Sequence, residues 1–234
     1  MITCILTGLQ VIALLLLLGN GGSVKWFPPV VVFSLAGASF LAVVIYPFFW
    51  HSQEKKQRVN SDKIYGFLYS TIRYTIAFNL AGFGWKKIFG LQFVVPVSIS
   101  ANPMNEQTGE WLTWYYFGYS YTFGIILALL QIVGACFLLF RRTCLPAAIT
   151  LFAFILNLTL INIFYQMNAG ALTMSVLLTL GLVFLILIEY KRLVEFFFKA
   201  KSNLVSMEIA GSQTKNLIRL SAILLSLLFT LYLR

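Results

Sequence analysis

The chain has 234 residues, of which 60% are apolar and only 10% are charged, whereas about a quarter of the residues of a soluble domain are charged. This composition excludes an ordinary water-soluble fold, and membrane spans of about 20 residues leave no stretch long enough for a soluble catalytic domain. The net charge of +10 does not indicate nucleic-acid binding, because the cations lie in short loops between apolar runs.

Seven apolar runs predict membrane-spanning helices, of which the first and last are short, so we expect six or seven spans. They cover residues 3–19, 28–49, 64–86, 119–140, 144–165, 171–189 and 217–233. Pro28, Pro29 and Pro146 suit the first turns of their helices, where a missing N–H does little harm. The first run has no basic start or cleavage site of a signal peptide, so we expect it to remain as an anchor.

The distribution of cations predicts the orientation. Twelve of the seventeen Lys and Arg residues, counting Arg219 at the start of the last run, fall on one side when the N-terminus, the loop 50–63, the Arg141-Arg142 turn and the segment 190–216 are placed together. Four fall on the other side, and Arg73 lies within a span. Because cytoplasmic loops carry the excess of cations, we predict a cytoplasmic N-terminus. The C-terminus is then outside if 217–233 inserts, and cytoplasmic if it does not.

Two connections are longer than the others. The outer one, 91–118, is rich in Trp and Tyr, which favours an aromatic belt at the head-group level; the alternative is a cap over an outward-facing pocket. The inner one, 190–216, begins EYKRLVEFFFKAK, where apolar residues alternate with bases. That pattern predicts a helix lying in the membrane interface.

The sequence offers few ligands for metals or haem. Its one histidine, His51, lies in a charged loop, and Cys4, Cys136 and Cys144 form no Cys-x-x-Cys pair. Zinc, haem and di-iron sites need several such side chains. We therefore predict no metal site and interpret the cysteines as structural.

Polar side chains inside the spans are the candidates for a site, because each is costly in hydrocarbon unless it finds a partner. They are Arg73, Lys86 and Lys87 in the third span, Gln131 in the fourth, and Asn157, Asn162, Tyr165 and Gln166 in or just after the fifth. At 1.5 Å per residue, Arg73 lies about 20 Å below the outer end of its helix, with Gln131 about as deep. If the three helices are neighbours, a polar track runs from Lys87 and Gln166 down to Arg73. The alternative is that the amides only join helices, each contributing about 1 kcal/mol or less.

Arg73 is the most costly of these groups, because the predicted spans contain no Asp or Glu apart from Glu189, which lies at the inner end of the run 171–189. Its partners must be amides, carbonyls, water or the oxygen atoms of a ligand. The rigid guanidinium fork suits carboxylate, phosphate or a polarised carbonyl, so a lipid head group or a quinone is predicted beside it. The missing acids also disfavour a proton-coupled pump.

Three strings carry a family resemblance: RYTIAFNLAGFGWKKIFGLQF (73–93), LTWYYFGYSYTFGIILALLQIVGACFLLFRRT (112–143) and LNLTLINIFYQM (156–167). Over about residues 64–198 the chain resembles the DoxX-like family of bacterial membrane proteins, in its branch of larger members. Arg73, Gly84, Lys87 and Gln92-Phe93 match its pattern of Arg, Gly-x-x-Lys and Gln-Phe. The resemblance implies a four-helix membrane core and a redox setting, since some such proteins are associated with quinone-linked oxidation of sulfur compounds or with thiol redox systems.

The chain departs from the family pattern at three positions. Gln131 stands where the pattern has Glu, Gln166 where it has Asp, and Gly170 where it has Lys. Glutamine keeps the hydrogen bonding of glutamate but does not exchange a proton at physiological pH. The departures therefore weaken an acid–base role and leave ligand binding or scaffolding easier to defend.

The organisation follows from these observations. We predict an all-α, polytopic membrane helix bundle of the bacterial inner membrane. It comprises two N-terminal transmembrane helices (1–50), a DoxX-like four-helix core with the outer loop 91–118 (64–198), and an interfacial segment with a C-terminal transmembrane helix (199–234).

The leading hypothesis for function is a pocket that binds a quinone or a lipid as part of a membrane redox system. Its predicted ligand-binding residues are Arg73, Lys87, Gln92, Gln131, Asn157, Asn162 and Tyr165. No catalytic residue is predicted, and whether the chain is an enzyme stays open. The sequence contains no motif for a bound cofactor, and a quinone is the one cofactor that we consider. We expect membrane lipid and partner membrane proteins as binding partners, and we do not expect nucleic acid.

Two other functions are weighed against this one. The first is a non-catalytic subunit that scaffolds or positions partner membrane proteins. The second, ranked last, is a small-solute transporter, since the chain shows no intramembrane acid, repeat or broken-helix pair.

Overall fold

A computed structural model describes residues 1–20, 23–200 and 212–233. Every regular element in these ranges is helical, and none of the described residues forms a strand. The helices are α1 (Ile2–Gly19), α2 (Pro29–Lys55), α3 (Ser61–Ile88), α4 (Val97–Ser100), α5 (Gly109–Gly118), α6 (Tyr121–Leu138), α7 (Cys144–Phe164), α8 (Ala169–Ile188), α9 (Tyr190–Val194) and α10 (Ser212–Tyr232). Met104–Glu106 forms a 3-10 turn and Glu195–Lys199 a π-helical turn.

Each predicted span coincides with one of these helices. In the described part of the chain, α1, α2, α6, α7 and α8 are the five helices that are long and apolar enough to cross a membrane. The α3 helix carries Arg73, Lys86 and Lys87, and the apolar part of α10, Asn216–Tyr232, is shorter. The fold class is thus an all-helical bundle with the elements of a multi-pass membrane protein.

Local sequence explains where the helices begin. The side-chain oxygens of Asn60, Ser120 and Asn168 each accept a hydrogen bond from the backbone N–H three residues on, at 3.1, 3.3 and 3.0 Å. Such caps satisfy donors that the first turn leaves without partners. Pro29 and Pro146 lie in the first turns of α2 and α7, as predicted.

A common core lies between α3, α6, α7 and α8. Its fully buried members include Ile72, Ile76, Leu80, Leu138, Leu151, Leu178 and Leu182. Close packing of such side chains, rather than exclusion of water, holds helices together in lipid. Outside this core, α1 packs on α2, α3 and α8, whereas α2 exposes large apolar side chains such as Phe33 and Phe48, as expected of a helix that faces lipid.

Glycine sets the register between α3 and α6. A Cβ atom at Gly84 would lie 2.6 Å from Ile132 Cγ1 and 3.0 Å from the Ala128 carbonyl oxygen. The last turn of α3 therefore lies beside the middle of α6, which extends about 14 Å further to Tyr121. We term this the outer end of the bundle, after the predicted orientation.

The chain divides into two compact units, Met1–Leu193 and Val194–Arg234. The second contains the π-helical turn and α10. The predicted interfacial segment begins as α9 and this turn, and its residues 201–211 lie outside the described ones.

Candidate functional site

Lys87 is the centre of the candidate site. It lies in the last turn of α3 and is 9% exposed. Its Nζ donates to Gln131 Oε1 at 2.9 Å, to Gln92 Oε1 at 3.0 Å and to the Phe83 carbonyl oxygen at 3.4 Å. Because an ammonium group only donates, both amides must direct their oxygen atoms toward it. The result is a buried cation held by neutral oxygens.

No carboxylate compensates this charge. The one salt bridge among the described residues joins Arg192 to Glu189 at 4.0 Å. Lys87 Nζ instead lies 5.4 Å from the centroid of the Phe93 ring, whose negative face attracts a cation. A charged ammonium at this buried position would be stabilised by an additional group that carries negative charge.

The helix register corrects the predicted depths. Gln131 was expected to lie as deep as Arg73, but its hydrogen bond to Lys87 shows that this is wrong. Fourteen residues, about 21 Å of helix, separate Lys87 from Arg73. The error arose because depth was measured from the end of each span, whereas α3 ends beside the middle of α6.

A cavity of about 650 Å³ lies next to Lys87, within the usual range of about 300 to 1,000 Å³ for ligand sites. We term it the outer cavity. Its walls are mainly apolar and include Phe83, Leu127, Ile155, Leu158, Met174 and Leu178. Lys87, Gln92 and Gln131 form one polar region of its lining, and Asn20, Lys86 and Asn168 lie at its edge.

A second polar group lies across the outer cavity, between α7 and α8. Asn162 Nδ2 donates to the Ala171 carbonyl oxygen at 3.1 Å and to Ser175 Oγ at 2.9 Å. Both amide hydrogens are thereby used, so the atom that Asn162 still offers is its carbonyl oxygen, an acceptor.

The segment between α3 and α6 contributes part of the lining of the outer cavity. Gln92, Phe93, Thr113, Trp114 and Phe117 all line it. The Phe93 ring stacks on Phe117 with centroids 5.2 Å apart and meets Trp114 edge-on at 6.1 Å. These residues therefore form the cap that the sequence left as an alternative.

Other aromatic residues of this region fit the aromatic belt instead. Tyr116, Tyr119 and Tyr121 are exposed, as expected of rings at the head-group level. The two interpretations of the outer connection thus apply to different residues.

Four of the seven predicted site residues meet in the outer cavity: Lys87, Gln92, Gln131 and Asn162. The other three lie elsewhere. Asn157 is exposed on the far side of α7, because five residues separate it from Asn162 and place it about 140° around the helix. Tyr165 is half exposed just beyond the end of α7, and Arg73 lies toward the inner end of the core.

Arg73 has aromatic neighbours rather than the converging amides expected of it. It is 3% exposed, and its guanidinium carbon lies 5.5 and 5.1 Å from the ring centroids of Tyr69 and Tyr74. Nη2 donates to the Tyr74 hydroxyl at 3.3 Å, while Nε and Nη1 are buried without a hydrogen-bond partner among the described residues. Tyr69 in turn contacts Cys144, its hydroxyl lying 3.5 Å from Sγ at the start of α7.

Two buried amides escaped the sequence analysis. Gln10 Nε2 donates to the Leu177 carbonyl oxygen at 2.6 Å and Asn79 Nδ2 to that of Thr75 at 2.8 Å, whereas both amide oxygens lack a partner in the described residues. Both could have been found in the sequence, because each is an amide side chain within an apolar run. Gln10 joins α1 to α8, and neither residue lines the outer cavity.

The described residues contain no cluster of three or more His, Cys, Asp or Glu side chains that could hold a metal ion. Cys4, Cys136 and Cys144 are free thiols. The groups available to a ligand are therefore an ammonium, amides and aromatic rings.

Comparison with known proteins adds one relative. No protein-family model and no solved structure matches the sequence. A stretch of 130 residues, 55% of this chain and 80% of the other, is 28% identical to "Uncharacterized protein YwoB" of Bacillus subtilis (strain 168). The name of that protein states no activity, and the resemblance to the DoxX-like family stays a prediction.

Proposed function

We propose that this protein binds an amphipathic molecule, a quinone or a lipid, in the outer cavity and serves a redox system of the bacterial inner membrane. One observation carries the binding proposal: a buried ammonium, held by neutral oxygens alone, faces a largely apolar cavity. A head group with electron-rich oxygen would bind at Lys87, and an isoprenoid or acyl chain would lie against the apolar walls.

The chemistry assigned to these residues is binding and orientation. Lys87 would donate to a ligand oxygen, while Gln92 and Gln131 hold its ammonium in place. The Asn162 carbonyl oxygen could accept a hydrogen bond from a ligand hydroxyl on the opposite wall. The redox setting is supported by the DoxX-like resemblance, and we assign the electron carrier to a partner protein.

Trp114 provides the test, because it lines the outer cavity. We expect a short-chain quinone or lipid to change the tryptophan fluorescence of the purified protein saturably, and Trp114→Phe to remove most of that change. Native mass spectrometry after mild detergent extraction should find a bound amphiphile. Lys87→Met should lower its retention, whereas the exposed Lys25→Met should not.

The binding proposal is wrong if Lys87→Met and Lys25→Met retain and bind amphiphiles equally well. Lys87→Arg serves as a second control, because it keeps the charge and the donors.

A non-catalytic subunit is the second candidate, favoured by Asn157. This amide is exposed near the middle of α7 and makes no hydrogen bond within the described residues, although a polar group in lipid favours a partner helix. A stoichiometric membrane partner recovered with the wild type and lost with Asn157→Leu would support this role. Recovery unchanged by the substitution would count against it.

A further inference from the structure

We infer that the ligand of the outer cavity is an anionic amphiphile, with a phosphate or carboxylate head at Lys87 and at least one acyl chain along the apolar walls. This inference rests on the proposed function and narrows it, because a neutral quinone does not meet the electrostatic demand of the site.

The charge around the outer cavity has one sign. Lys86 and Lys87 belong to its lining, and none of the described Asp or Glu residues does. Glu110 Oε1 accepts a hydrogen bond at 2.9 Å from Nδ2 of Asn168, which is a lining residue. Lys86 donates to Asn20 Oδ1 and lies 5.6 Å from the centroid of the Phe83 ring. Neither lysine has an ionic partner among the described residues, so a bound anion would supply the missing counter-charge.

Donors also outnumber acceptors beside Lys87. Gln92 and Gln131 turn their oxygens to the ammonium, so their NH₂ groups point away from it. These groups and the Trp114 indole N–H make no hydrogen bond within the described residues, and all three side chains line the outer cavity. A phosphate or carboxylate accepts several such bonds, and bonds to an ionised oxygen are roughly twice as strong as neutral ones.

The shape and apolar walls of the cavity favour a ligand that also carries an acyl chain. Apolar side chains from α1, α3, α6, α7 and α8 surround it, and Leu178 lies nine residues, about 14 Å, below the start of α8. A free inorganic ion would leave these walls without a partner. An acyl chain would fill them.

The decisive variant is Gln131→Glu, because it places a carboxylate where an amide oxygen now lies 2.9 Å from Lys87 Nζ. An internal counter-ion removes the demand for an external one without a change in size. We expect this variant to unfold at a higher temperature than the wild type and to bind anionic amphiphiles at least about tenfold more weakly. A variant that gains stability while losing affinity cannot have lost its ligand through misfolding.

The experiment uses the full chain in mild detergent and measures binding by tryptophan fluorescence and calorimetry. The probes are dioctanoyl phosphatidylglycerol, decanoate, dioctanoylglycerol, a short-chain ubiquinone and inorganic phosphate. The first two distinguish a phosphate head from a carboxylate head, and dioctanoylglycerol has the same chains as the first without its charge. Lys25→Gln is the matched control, since it also lowers the net charge by one at an exposed outer position.

Tighter binding of phosphatidylglycerol or decanoate than of dioctanoylglycerol, weakened by Gln131→Glu and unchanged by Lys25→Gln, supports the inference. Equal binding of dioctanoylglycerol, or phosphate binding as tightly as the lipid, overturns it. Ubiquinone binding alone overturns the inference but leaves the proposed function standing. Binding of none of the amphiphiles overturns both.

Discussion

Lys87 and Arg73 are both buried cations on one helix, yet their surroundings differ. Lys87 meets three oxygen atoms and faces a cavity, whereas Arg73 meets the faces of two tyrosine rings and one hydroxyl. Two guanidinium nitrogens are buried without a partner in the described residues, so an outside molecule cannot reach them as they lie. The proposed ligand site is therefore placed at Lys87.

Arg73→Met tests this distinction. Each ring contributes about 1 to 2 kcal/mol to a buried cation, whereas burying an incompletely paired charge costs several, so we expect the apolar side chain to stabilise the fold by about 1 to 3 kcal/mol. Binding in the outer cavity should stay unchanged. Thermal unfolding and the fluorescence titration measure the two effects. A loss of ligand affinity would show that Arg73 contributes to ligand binding after all.

The pair α3 and α6 is the element that builds the site. At Gly84 the helices approach so closely that a Cβ would displace the Ile132 side chain, 2.6 Å away, and press on the Ala128 carbonyl oxygen at 3.0 Å. This contact places Lys87 opposite Gln131. The α5 helix contributes Trp114 and Phe117 to the lining of the outer cavity.

Gly84→Ala should therefore separate the two helices. We expect a destabilisation of about 1 to 3 kcal/mol from overpacking and weaker binding in the outer cavity, because Gln131 would move away from Lys87. Denaturation in detergent and the fluorescence titration report the two changes.

Gly66→Ala in the same helix is the matched control. Its Cβ would meet nothing within 4 Å, so the usual gain of about 0.5 to 1 kcal/mol for alanine over glycine in a helix applies. If both alanines stabilise the protein, close contact at Gly84 does not set the register.

At the scale of the whole molecule, the arrangement of loops sets the sides of the membrane. The segment 50–63, which joins the end of α2 to the start of α3, carries Lys55, Lys56, Arg58 and Lys63, whereas the outer connection 91–118 carries no Lys or Arg. The positive-inside rule predicts that the former is cytoplasmic, which would place the outer cavity toward the outer membrane surface.

Cysteine labelling tests this orientation. In a variant without the three native cysteines, we expect Asn102→Cys to react with a membrane-impermeant maleimide in intact cells, and Ser52→Cys to react only after the membrane is opened. Both positions are exposed, so access differs by side alone. The reverse pattern would invert the predicted topology.

Composition and hydropathy determined the helical membrane class and the places of the helices, because the tendency to span a membrane is a sum over about 20 neighbouring residues. Lys87 and Gln131 were also recognisable as polar groups in apolar runs, whereas Gln92 was named only through the family resemblance. The opposite faces of Asn157 and Asn162 could have been read from their spacing. The partner of Gln131 could not be predicted from the sequence, because it depends on the register of α3 against α6. That register is set by the close helix contact at Gly84, which only the tertiary structure shows.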